Sequence, residues 1–141
     1  MSALSITALA VLVSDQTIKL MFRHLAVGDA VVLGPIVGVR VVTTRILLAR
    51  FSSQWRASVM WCLWAVAGSA LIVAMALASL SPVLVGLLLG GSLSHALETS
   101  IRGGITDWAW PRFGLAFNLA DLALGAGAVG LIGELLLSLC G

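Results

Sequence analysis

Asn118 and Asp121 stand three residues apart in "FNLAD" (117–121), at the head of a long apolar run. From Leu122 to Leu139 the only ionisable side chain is Glu134. At that spacing the amide and the carboxylate share a helical face. A carboxylate inside a membrane helix costs up to about 2.5–3.5 kcal/mol at the bilayer centre, so it normally faces a cavity or a partner. Asp107 precedes the run in a polar loop and can fold back over its start. Two carboxyl groups brought together do not both ionise easily, and a pair that shares one proton can hold and activate a water molecule. Near the amino terminus, Asp15 and Lys19 are one helical turn apart in the acid-first order that favours an ion pair, which suits both to a membrane interface.

Other chemistries have less support. Ser92 with His24 or His95 lacks a GxSxG-type context. Two histidines on different segments are too few for a metal site. Cys62 and Cys140 show no CxxC or Cys/His spacing and read as small buried hydrophobes. No metal or organic cofactor is expected.

The elements that must position these groups are membrane helices. Of the 141 residues, 60% are hydrophobic and 10% charged, beyond what a single soluble core buries. Crossing ~30 Å of hydrocarbon takes about 20 apolar residues. Spans are expected at about 2–22, 57–80, 82–98 and 114–138, with Trp61 and Trp64 as interfacial anchors. Ser81-Pro82 marks a tight turn. Residues 1–14 lack a basic leader and a cleavage site, and read as the first span instead of a signal peptide. The small-residue run "GAGAVG" (125–130) allows close helix packing. Glu134 reads as an interfacial residue.

The texture changes at 24–56. "VGVRVVTT" reads as a strand, and "RILLARFSSQWR" (45–56) as a short amphipathic surface helix. The fold expected is therefore an all-α membrane protein. Four transmembrane helices form a single polytopic domain over 1–141, with a small extramembrane strand and amphipathic-helix element between the first two. The stretch 37–56 is expected to act as a lip that moves to admit substrate.

A net charge of +2, with no basic stretch interleaved with aromatics, gives no basis for nucleic-acid binding. All eight Lys and Arg residues (Lys19, Arg23, Arg40, Arg45, Arg50, Arg56, Arg102, Arg112) belong to the first and third loops or the helix ends beside them. A plain positive-inside reading puts those loops in the cytoplasm.

With these residues in place, the chain resembles the bacterial lipoprotein signal peptidases (signal peptidase II) over nearly its whole length. "DQTIK" (15–19) is similar to the family's Asp-Gln-x-x-Lys. "GGSLSHALETSIRGGITD" (90–107) is similar to the Gly-Gly-x-x-Gly-Asn-x-x-Asp-Arg stretch that leads to the first catalytic aspartate. "FNLAD" is similar to Phe-Asn-x-Ala-Asp, which ends in the second. His95, Glu98 and Thr99 occupy the family's Asn and Asp-Arg positions, and "TTRILLARF" (43–51) lacks its Asn-x-Gly.

The resemblance implies an intramembrane aspartyl endopeptidase that removes signal peptides from diacylglyceryl-modified prolipoproteins. Asp107 and Asp121 would be catalytic. Asp15, Gln16, Lys19, His95, Glu98, Asn118 and Ala120 would support the site or bind substrate, and Arg102 or Arg112 would meet lipid phosphate. The implied partners are a lipidated prolipoprotein and membrane phospholipid, and the protein is expected to act as a monomer. It would sit in the bacterial cytoplasmic (inner) membrane with both termini inside and the active site toward the outer face, which overrides the positive-inside reading. Two alternatives stay open: a catalytically silent paralogue that binds lipidated peptides or a membrane partner, and a small transporter subunit with Asp121 as proton carrier.

Overall fold

The computed structural model describes residues 2–22, 30–32, 37–45, 53–111 and 114–140. The elements run α1 (Ala3–Met21), β1 (Ala30–Val32), β2 (Val37–Arg45), α2 (Ser53–Ala78), α3 (Pro82–Arg102), β3 (Gly104–Pro111) and α4 (Leu119–Cys140). All four helices are long and apolar enough to cross a membrane. Half of α3's apolar window is buried, against 6% for α2, so α3 is the central helix and α2 turns mostly toward lipid.

The helix ends follow local rules. Ser2 caps α1, its hydroxyl accepting from the Ser5 N–H at 3.3 Å. Pro82 opens α3, where its missing N–H is not needed. Gly103 ends α3 in the left-handed region (φ 77°), its N–H bonded to the Thr99 carbonyl at 2.9 Å. That geometry suits a residue without Cβ and sends the chain directly into β3.

Close packing around α3 depends on small residues. A Cβ at Gly90 would lie 2.6 Å from the Ala8 carbonyl of α1, and one at Gly91 would lie 2.8 Å from the Ala120 carbonyl of α4. The "GAGAVG" run behaves as expected at Gly127 and Gly130, which receive Leu88 and Leu84. At this end Val85, Leu89 and Leu131 form an apolar core with Leu80.

The polarity of α1 is inverted relative to a soluble helix. Its buried residues are Val11, Asp15 and Lys19, each one turn from the next, while Ile6, Leu9, Val13 and Leu20 are exposed. Apolar side chains face hydrocarbon and the ion pair faces protein, as a lipid solvent favours.

The three strands form one antiparallel sheet in the order β1-β2-β3. The expected strand at 37–44 is β2, but its second partner comes from the third loop. The amphipathic helix expected at 45–56 falls mostly outside the described residues, and Ser53 onward already belongs to α2.

Several expectations need correction. The third span does not stop at 98 but continues to Arg102, and Glu98 is buried within it. The fourth helix begins at Leu119 and not at 114. Trp64 packs against the core with its indole nitrogen buried, so of the two expected interfacial anchors only Trp61 faces outward. Cys62 and Cys140 are exposed on apolar helices and are not buried. Glu134 ties helix ends together, its Oε2 accepting from the Ser81 N–H at 3.0 Å. An unpaired amide at a helix start is a liability in an apolar medium, and this contact satisfies it.

Candidate active site

The site forms where the carboxyl ends of α1 and α3 meet β3 and the amino end of α4. Alternate side chains of a strand share a face, and Asp107 and Ala109 share the buried face of β3. Asp107 is therefore a strand residue, paired with Val42, and not a loop residue as expected. The register shifts between Val39 and Val42, an irregularity of the kind that re-aims side chains beside functional sites.

The chain then doubles back. Phe117 and Ala109 exchange N–H···O bonds, 2.9 Å each way, and the Trp108 N–H also reaches the Phe117 carbonyl at 3.2 Å. This closure sets residue 118 beside residue 107. Trp108 stacks on Phe22 of the α1 cap, ring centroids 5.5 Å apart, which fixes the strand against the first helix.

Asn118 immediately precedes α4 and forms a reciprocal capping box with Asp121. Its Oδ1 accepts from the Asp121 N–H at 3.0 Å, and Asp121 Oδ2 accepts from the Asn118 N–H at 2.9 Å. The expectation that the two share a face within a spanning helix is thus replaced by a helix-start motif. The free end of the Asn118 amide donates to Asp107 Oδ1 at 2.7 Å and to the Thr106 carbonyl at 3.5 Å. One asparagine therefore touches both aspartates. Asn118 is fully buried and Asp107 nearly so, whereas the Asp121 side chain is 39% exposed and open to an incoming molecule.

Behind this pair lies a buried ionic chain. Lys19 Nζ is 2.8 Å from Asp15 Oδ2 and 2.7 Å from Glu98 Oε2, and Glu98 Oε1 accepts from Arg102 at 2.9 Å. Two acids and two bases pair along the chain, with Arg102 at its partly exposed end, so each buried carboxylate has a cationic partner. Both members of the Asp15–Lys19 pair are wholly enclosed by protein. Its link to the site is direct: Asp15 Oδ1 accepts the Ala120 N–H at 3.1 Å, one residue before Asp121. The carboxylate satisfies an orphan amide of the first turn of α4 and suits the positive end of its dipole.

Ser94 is a supporting residue that sequence reasoning missed. Its hydroxyl donates to Asp15 Oδ2 at 2.6 Å and accepts from Gln16 Nε2 at 2.7 Å. The signal was available, because Ser94 and Glu98 are one turn apart on α3, just as Asp15 and Lys19 are on α1. Polar pairs of equal spacing on two packed helices meet across the interface. His95 Nε2 lies 3.3 Å from Asn118 Oδ1 and 3.4 Å from Asp121 Oδ1. Thr99 is buried beside Glu98. Ser92 donates back to the Leu88 carbonyl within its own helix, as an ordinary helical serine does. Arg112 and His24 lie outside the described residues.

A sequence profile of the signal peptidase (SPase) II family matches residues 7–137. No curated protein sequence matches the chain. Among solved structures, a bacterial membrane enzyme determined by the in meso method at 2.3 Å resolution matches with a TM-score of 0.74 at 19% identity, covering 93% of this chain and 85% of its own. A second such structure, at 1.9 Å resolution, matches with a TM-score of 0.75 at 19% identity, covering 93% and 90%. At that identity the likeness concerns the fold. The profile spans both aspartates, the capping asparagine and the buried ionic chain, and on that match the chain belongs to the signal peptidase II family.

Proposed function

We propose that the protein is an intramembrane aspartyl endopeptidase that cleaves the signal peptide from diacylglyceryl-modified prolipoproteins, with Asp107 and Asp121 as its catalytic pair. The observation that carries this reading is the bridge at Asn118, whose side chain bonds one carboxyl group and whose backbone bonds the other, at an accessible helix start. In the reaction one carboxyl group is protonated and the other is not. The carboxylate takes a proton from water as the water oxygen attacks the scissile carbonyl carbon, and the acid gives its proton to the carbonyl oxygen. Collapse of the resulting gem-diol breaks the C–N bond. The departing nitrogen receives the proton first taken from water, and the other carboxyl group recovers its own from the diol. Both carboxyl groups end in the protonation states in which they began, and no cofactor is needed.

Asp15, Gln16, Lys19, Glu98 and Ala120 support this site through the contacts described above. Arg102, with its side chain 28% exposed, is available for lipid phosphate beyond its bond to Glu98. Arg112 is assigned the same role on the family resemblance alone. The reading places a monomer, one domain over 1–141, in the inner membrane, with the site toward the outer face. A single experiment tests the function: purified protein in detergent is given a diacylglyceryl-modified precursor, and cleavage before the lipidated cysteine is followed for wild type and Asp107→Asn. Cleavage that depends on Asp107 is expected. Binding without cleavage by the wild type would instead support a silent relative.

A further inference from the structure

His95 approaches the centre of the site from α3, and the hydrogen bonds around it leave one ring nitrogen a single role. The Asn118 amide has a fixed orientation, because the Asp121 N–H can only donate to it and the Thr106 carbonyl can only accept from it. The atom of Asn118 that faces His95 is therefore the carbonyl oxygen, an acceptor. Asp121 Oδ1 is the other neighbour of Nε2, and its partner Oδ2 already receives the Asn118 N–H. Two acceptors converge on Nε2, so this nitrogen carries the hydrogen.

We propose that His95 is a positioning residue of the aspartate pair, whose Nε2–H is shared between Asn118 Oδ1 and Asp121 Oδ1. The contact joins α3 to the capping box and holds the exposed Asp121 carboxylate at its free oxygen. The same proton steadies the amide that carries Asp107, so one imidazole acts on both members of the pair. The ring is mostly enclosed, with its side chain 16% exposed, which shields these long hydrogen bonds from competing water. The kinetic consequence rests on the peptidase reading; the hydrogen bond itself does not.

The test uses the full chain in detergent micelles, labelled with 15N at histidine. The sequence holds two histidines, His24 and His95, so H95F assigns the His95 signals by their loss. The expected result is a His95 Nε2–H proton that exchanges slowly enough to be observed and that shifts on Asp121→Asn. An Nδ1–H form of His95, or an Nε2–H signal indifferent to Asp121→Asn, overturns the proposal. This readout needs no turnover, so it decides the matter even where no precursor is cleaved and the peptidase reading has failed. Where the protein does cleave, H95F lowers kcat about 10- to 100-fold with KM nearly unchanged. H95Q, whose amide nitrogen reaches toward the Nε2 position, recovers about tenfold of that loss. Wild-type kcat in H95F, or no recovery in H95Q, also overturns it.

Discussion

The side-chain amide of Asn118 donates to Asp107 across 2.7 Å, joining the residue that starts α4 to a strand from the preceding loop. The other end of the same amide accepts the Asp121 N–H. The helix cap and the clamp on the aspartates are therefore one side chain, and substitutions can separate the two roles. Asn118→Ala removes both: stability is expected to fall by about 1 kcal/mol and cleavage by about 100-fold. Asn118→Asp keeps an acceptor for the cap but replaces the donor to Asp107 with a carboxylate oxygen. Thermal unfolding in detergent should then stay near wild type while cleavage is lost. Wild-type turnover in Asn118→Asp would show that the donor is dispensable.

The aspartates themselves are expected to fail separately from folding. Asp107→Asn and Asp121→Asn each preserve shape, and the new amide at 121 still offers an oxygen to the Asn118 N–H. Both should insert and unfold like wild type yet show no cleavage above background. Asp15→Asn should weaken activity less, because its oxygen can still accept the Ala120 N–H. Turnover at the wild-type rate in either of the first two variants would rule out the aspartyl mechanism.

Much of this was legible in the sequence, for reasons that differ by element. Helix spans follow from apolar length alone, and β2 from its β-branched run. The motif positions of Asp107, Asn118 and Asp121 were legible, but their geometry was not. Asn-x-x-Asp before an apolar run is equally a helical face and a capping box, and only the point at which α4 starts separates the two. Strand β3 was missed because "GITDWAWP" has no clean alternation and owes its conformation to pairing with β2. The burial of Glu98 is not legible, because length arguments alone end the third span at that residue. Its partners Lys19 and Arg102 make its burial possible, and a single helix does not reveal a partner on another.

The buried chain of charges predicts a sharp stability effect. Lys19→Met leaves Asp15 and Glu98 facing each other without the ammonium group between them. Removing one member of a buried ion pair typically costs about 3–5 kcal/mol. A large drop in unfolding temperature is therefore expected, and adding Glu98→Gln should restore part of it by removing one of the two carboxylates left facing each other. A double variant no more stable than Lys19→Met would show that the loss arises from packing and not from charge.

Helix contact can be tested with glycines that differ only in their surroundings. Gly90→Ala drives a methyl group to 2.6 Å from the Ala8 backbone, whereas Gly125→Ala meets nothing within 4 Å. The first is expected to separate α1 from α3, lower thermal stability and disturb the Asp15–Ser94 contact. The second should be neutral or slightly stabilising, since alanine favours a helix by up to about 1 kcal/mol over glycine. Equal behaviour of the two in detergent-based thermal unfolding would contradict the close packing.

Orientation in the membrane gives the most exposed prediction, because two physical rules disagree. The end of the bundle that holds the aspartate pair, where α1 and α3 finish and α4 begins, also carries Lys19 and Arg102, and the opposite end holds Ser2, the Ser81 turn and Cys140. Counted as free charges, the basic residues would hold that end inside the cell. They are not all free. Lys19 is locked between two carboxylates and Arg102 is bonded to Glu98, so neither presents a full unpaired charge. The charge rule is statistical and is weakest where the charges are neutralised by their own fold. The expected orientation therefore places both termini in the cytoplasm and the aspartates at the outer face. A reporter active only outside the membrane should be silent when fused at Gly141 and active when inserted within residues 24–56. The reverse pattern would restore the charge rule and place the site on the cytoplasmic side.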